Sequence, residues 1–121
     1  ICKLAGQIEY RTHIPMGSVV AALLPNVIEL LEAKLPEKMK LMSRAILRAD
    51  DTLREGEQPS AADEIRGIIK RLDMPLQLSF LGLEDYMLED LVESLEDRTL
   101  ATAAPIATDR KSVLKLLKTS L

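Results

Sequence analysis

A chain of 121 residues, 47% of them apolar, is long enough to bury a core without staples and too apolar to be a disordered tail. Aromatics make up only 2% (no Trp, one Phe, two Tyr), so Leu, Ile, Val, Ala and Met must fill that core, which suits helix packing better than a β-sandwich. The net charge of −3 argues against a general nucleic-acid binder, and the single cysteine, Cys2, excludes an internal disulfide.

The sequence starts at Ile1 with no Met and runs directly into Cys2-Lys3-Leu4-Ala5-Gly6, which reads as a piece cut from a longer polypeptide. No signal peptide is visible, so the expected compartment is the cytoplasm. Leu4, Ala5 and Ile8 fit one or two helical turns ending near Tyr10. Pro15 disfavours the helical region at Ile14 and Gly17 permits unusual angles, so His13–Gly17 is a bend with Ser18 as the expected N-cap behind it. The apolar run from Ser18 to Leu31 must be wrapped by other elements or by lipid. It is short and interrupted by Pro25 and Asn26, which fits a central buried helix better than a membrane span. Pro25 is expected to kink this helix, which should end near Lys34 or Leu35, giving a central element over 18–34.

Pro36 suits the first turn of a second helix running to about Arg48, with Leu41, Met42, Ala45, Ile46 and Ala49 on one face. Asp50–Pro59 is a polar surface loop. Ser60 followed by Asp63 resembles a capping box and opens a third helix with Ile65, Ile68, Ile69 and Leu72 inward, stopped by Met74-Pro75. Leu76–Gly82 is an extended or turn-like connector. A fourth helix over Leu83–Leu95 would point Leu83, Tyr86, Met87, Leu91, Val92 and Leu95 inward, with an acidic face in solvent. After a loop over Ala101–Ala107, Thr108 should cap a fifth helix with Asp109 in its first turn and Val113, Leu114, Leu117 and Leu121 inward. The expected fold is all-α, about five helices around one hydrophobic helix, forming a single helical domain over residues 1–121.

Few residues invite chemistry. His13 is the only histidine, so no Ser-His-Asp, His-x-x-x-His or Glu-x-x-His constellation can form, and no catalytic or cofactor-binding residue stands out. The acids of the fourth helix (Glu84, Asp85, Glu89, Asp90, Glu93, Glu96, Asp97) read as a solvated face rather than a di-metal site. Arg110, Lys111, Lys115 and Lys118 make the fifth helix basic, but without aromatic interleaving for base stacking, so neither nucleic acid nor membrane is an expected partner. The acidic and basic helices could lie side by side. The five Met residues fit core filler.

A pattern does run through the chain. His13-Ile14-Pro15-Met16-Gly17, followed by Ala21-Ala22-Leu23-Leu24-Pro25-Asn26-Val27-Ile28, resembles the Pro-His-Gly bend and Ala-x-Leu-Leu-Pro-x-Val helix of the iron-dependent (group III) alcohol dehydrogenases. Leu72-Asp73-Met74-Pro75-Leu76-Gln77-Leu78 resembles that family's Leu-Gly-x-Pro-x-x-Leu turn. Leu81-Gly82-Leu83 resembles its Leu-Gly-Val segment, and Pro105–Leu117 its terminal helix. The resemblance covers nearly the whole chain, as the family's helical, dehydroquinate-synthase-like C-terminal domain.

The resemblance implies a two-domain oxidoreductase in which an α/β domain binds NAD or NADP and the helical domain holds iron or zinc through histidines. The implied partners are therefore an N-terminal nucleotide-binding domain or a second copy meeting an exposed docking face. At the family's histidine positions this sequence carries Met16, Cys2 and Gly6. His13, three residues before Met16, is the remaining candidate metal ligand. With these substitutions, and no nucleotide domain in the chain, the expectation is no bound cofactor and no hydride transfer by the chain alone. The competing expectation is a stand-alone helical interaction module without enzymatic activity.

Overall fold

The first bend follows from backbone chemistry. Helix α1 (Cys2–Thr12) ends at His13, which sits in the left-handed region at φ 59°, ψ 15°, with its N–H donating to the Glu9 carbonyl at 2.8 Å. The Thr12 hydroxyl donates to the Ile8 carbonyl at 2.7 Å and accepts from the Ile14 N–H at 3.3 Å, which closes the turn. Pro15, at φ −56°, ψ 130°, then directs the chain into α2 (Met16–Lys34). The structure, a computed structural model, describes residues 1–47, 60–105 and 107–121.

Both helices are longer than their apolar patterns suggest. α1 continues past Tyr10 to Thr12, and α2 starts two residues before Ser18, the expected cap. The cap comes from another element: Glu9 Oε1 accepts the Met16 N–H at 3.2 Å, placing a carboxylate at the positive end of α2. α2 stays helical through the buried Pro25 and ends at Lys34. At 19 residues, with an 18-residue stretch of mean hydropathy 1.5, it is by length and composition long and apolar enough to cross a membrane, a correction to its apparent shortness. Within this fold it packs against α1, α4, α7 and two further elements, burying Val19, Ala22, Leu23, Pro25, Val27 and Ile28.

Helix α3 (Pro36–Leu47) starts at its proline as expected, but turns a different face inward. Met39 is buried and Ile46 packs beside it, whereas Leu41 is 67% exposed and Met42 and Ala45 also face solvent. Its neighbours α2 and α4 offer only a narrow seat, which the Met39–Ile46 stripe fills. Ala49, Arg48 and the expected loop over 50–59 lie outside the described residues.

Helix α4 (Ala61–Arg71) opens at Ser60, whose hydroxyl accepts the Asp63 N–H, as the capping pattern predicts. Ala61 and Ala62 are fully buried, small enough to bring the helix start against α2. Ile65 and Ile69 follow them inward, while Ile68 and Leu72 stay exposed. Glu32 of α2 supplies a second cap, accepting from the Ser60 hydroxyl at 2.8 Å and from the Ala61 N–H. Arg66 completes the seam, donating to Glu29 at 2.6 Å, Asp63 at 2.9 Å and Asn26 Oδ1 at 3.3 Å. Glu29, then Asp63, hold the Arg66 guanidinium pKa above its ordinary value against the opposing effect of burial.

A 3₁₀ turn (Leu78–Leu81) replaces the connector and plants Leu78 in the core. It closes at Gly82, where φ 85° demands glycine. The expected fourth helix over 83–95 shortens to α5 (Asp85–Glu93), and a four-residue helix that was not expected, α6 (Asp97–Leu100), follows it. Leu83 and Leu95 flank α5 and are buried outside it. Tyr86 is 70% exposed, contrary to expectation, and the inward stripe is Leu88, Leu91, Val92 and Leu95. Tyr86 sits two residues from Leu88, about 200° round the helix, so it cannot share that stripe.

Helix α7 (Arg110–Thr119) is capped by Asp109, one residue later than expected: its carboxylate accepts the Ser112 N–H at 3.0 Å and the Ser112 hydroxyl. These bonds, the hydroxyl's first, hold the Asp109 pKa below the usual carboxylate value. Val113, Leu116 and Leu117 are buried, with Leu114 and Leu121 half-buried beside them. Lys118 bridges to the acidic helix, at 3.0 Å from Glu89 and 3.3 Å from Asp85, and both contacts raise its pKa, Glu89 the more. The basic and acidic helices do lie side by side. The fold is all-α, with seven α-helices and no strands among the described residues.

Candidate functional site

The corner between α1 and α2 gathers every position that the sequence singled out for chemistry. Cys2, Gly6 and Glu9 lie at helical spacing on one face of α1. Leu4, Ala5 and Ile8 hold the opposite face of that helix fully buried, which fixes its rotation. Met16, in the first turn of α2, reaches back over this face: its Sδ lies 3.9 Å from where a Cβ on Gly6 would stand. Glu9 ties the two helices together through the Met16 N–H.

The surface of the corner is open and partly apolar. Tyr10 is 80% exposed and Met16 40% exposed, and Cys2, His13, Pro15 and Gly17 face solvent around them. His13 occupies the left-handed cap of α1, so the backbone at this position serves the bend. The fold thus brings Gly6 and Met16 into contact range, places Cys2 one turn along the same face, and sets His13 at the end of α1.

The donors here are one thiol, one thioether, one imidazole and the Glu9 carboxylate, which already accepts the Met16 N–H, with nothing at Gly6. Catalytic zinc sites use three nitrogen, sulfur or carboxylate ligands and an open position, and a thioether is a poor ligand for a hard cation. Among the described residues no group of three His, Cys, Asp or Glu side chains is placed to hold a metal ion. The residues present do not fit a catalytic iron or zinc centre.

Glu9 escaped the sequence reading. The motif shows a bend, but not that a carboxylate from the preceding helix caps the next one. A glutamate seven residues before a helix start that lacks its own Ser, Thr, Asp or Asn cap is the signal that was available.

The fold is thus an all-helical domain with an exposed corner between its first two helices, built on a Pro-x-Gly bend. The family model for the C-terminal domain of Fe-containing alcohol dehydrogenases matches residues 2–121, and the chain belongs to that family. Searches of the curated proteins and of the solved structures gave no match.

Proposed function

We propose that this chain is the helical domain of an NAD(P)-dependent oxidoreductase resembling the iron-containing alcohol dehydrogenases, and that by itself it does not transfer hydride. The family match supports the parent chemistry. The observation that carries the reading of the site is the approach of Met16 to Gly6 across the α1–α2 corner. By the resemblance these two positions, with Cys2 one turn away, are where the family carries histidines, and the residues present there make no ligand set. In the family a divalent metal polarises the alcohol or carbonyl oxygen, and no step of that kind is assigned to this chain.

The corner's remaining role is docking. Tyr10 and Met16 expose apolar surface where the nucleotide-binding domain would sit, and such surface favours burial against a partner. Glu9, His13 and Pro15 set its shape by fixing the angle between the helices.

Elemental analysis of the purified chain, with zinc and iron(II) titrations followed by thermal melting, tests the reading. The expected result is no stoichiometric metal and no rise in melting temperature. Stoichiometric metal with a raised melting temperature overturns it and makes Cys2 and His13 working ligands. Replacing Cys2, Gly6 and Met16 together by His should create zinc dependence. A hundredfold excess of zinc over Kd would then add about 2.7 kcal/mol of stability.

A further inference from the structure

A second concave surface lies away from the α1–α2 corner. The later half of α2 and the outer side of α7 enclose a groove of about 540 Å³, within the range of roughly 300–1,000 Å³ typical of small-molecule sites. Two helical stripes form its walls. Residues 26, 29, 30, 33 and 34 follow one side of α2, and residues 111, 112, 115, 116 and 119 follow one side of α7. Leu30, Ala33, Ala107 and Leu116 give it an apolar floor.

Its charge is one-sided. Lys34, Lys111 and Lys115 line the groove, and none of them takes part in an ion pair among the described residues. The one carboxylate in the lining, Glu29, is held by Arg66 at 2.6 Å. The polar groups at the ends of the groove are also satisfied. Asn26 donates to Ser120 at 2.9 Å, the Ser112 N–H donates to Asp109, and the Thr119 hydroxyl donates to the Lys115 carbonyl. What the groove offers a ligand is therefore aliphatic surface beside three ammonium groups.

We infer that the groove between α2 and α7 binds a small amphiphilic anion, an aliphatic chain on the Leu30–Ala33–Leu116 floor with its carboxylate or phosphate held by Lys111, Lys115 and Lys34. Apolar burial supplies the attraction and the lysines select the sign of the head group. A neutral alcohol of the same length keeps only the first contribution, and a cationic amphiphile meets repulsion. The inference stands on this groove alone and is independent of the metal reading at the α1–α2 corner.

The test titrates decanoate, below its micelle-forming concentration, into the full 121-residue chain. Binding is followed by calorimetry and by amide NMR shifts, with decanol and decyltrimethylammonium as matched probes. Decanoate is expected to bind about tenfold more tightly than decanol, as two close charge contacts in water allow. Its shifts should map to α2 and α7, and added salt should erode the preference. The double variant Lys111→Gln/Lys115→Gln should remove the preference for decanoate while leaving decanol binding unchanged. Ala33→Trp, an exposed position on α2, should block both probes. Equal affinity for decanoate and decanol, unchanged decanoate affinity in the double variant, or no binding at all each overturns the inference. Decyl phosphate in place of decanoate then distinguishes the two head groups.

Discussion

The two hydrophobic clusters of this domain are built on different principles. The larger joins α1, α2, the 3₁₀ turn, α5, α6 and α7, and encloses Leu4, Ile8, Leu23, Leu78, Leu83, Leu88, Leu116 and Leu117 completely. The smaller is built on Ile28, Met39, Ala61 and Ala62, with Leu24, Leu31, Ile46 and Ile65 partly buried around it, and it seats α3 and α4 against α2. Around it the attachment is polar: Glu32 caps α4, and Arg66 reaches Glu29 and Asn26. One α2 helix serves both, packing aliphatically along its length and adding a polar seam at Asn26, Glu29 and Glu32 in its second half. The larger region should unfold as a unit, whereas α3 and α4 should open first and depend on a few hydrogen bonds.

Substitutions can break this division, the largest effect first. Leu23→Ala, at a fully buried position, should cost about 3–4 kcal/mol in denaturant titrations and lower hydrogen-exchange protection throughout the larger cluster. Met39→Ala should cost about 2 kcal/mol, with the loss of protection confined to α3 and α4. If both variants loosen the same amides, the two regions are one. Glu32→Ala removes the second cap of α4 and should cost about 1–2 kcal/mol, seen as faster exchange in that helix's first turn, with Glu32→Gln recovering part of it.

A smaller effect has the opposite sign. Asp73 closes α4 in the left-handed region at φ 53°, where the Met74 N–H donates to the Ile69 carbonyl and the Asp73 N–H to the Lys70 carbonyl. Asp73→Gly should stabilise the chain by about 0.5–1 kcal/mol, the relief of left-handed strain less glycine's extra unfolded entropy. The smallest effect concerns acid. Asp109 has a lowered folded pKa, so its contribution is full above the unfolded value of 3.8 and is lost as pH falls through the folded one. Asp109→Asn keeps a capping oxygen without that titration. Melting temperatures of the variant should therefore decline less steeply than those of the parent chain below the unfolded pKa.

The sequence made the helices legible wherever one apolar stripe dominated. Ser60 and Asp63 marked the start of α4, Pro36 the start of α3, and the Leu83–Leu95 run the acidic face of α5. The glycine of the family pattern falls at Asp73, and the left-handed angle there explains why glycine suits that turn. What the sequence could not show was which of two adjacent stripes meets a neighbour. Leu41 and Tyr86 lie beside stripes that do, yet face solvent. The caps from Glu9 and Glu32 and the Asn26–Ser120 bond join residues 7, 29 and 94 positions apart, where no local pattern connects them. At the corner, motif order drew attention to Cys2, Gly6, His13 and Met16, while the approach of Met16 to Gly6 needed the fold.

The pairing of α2 with α7 also bears on how the chain is made. Asn26 and Ser120 meet across 94 residues, so α2 emerges from the ribosome long before its cover on that side exists. At ordinary rates of synthesis the delay is roughly 5–20 seconds. Throughout it, a helix apolar enough to enter a bilayer lacks part of its own packing. Until α7 arrives, α1, α3 and α4 can already pack on this helix, but the side that α7 covers stays without its native neighbour.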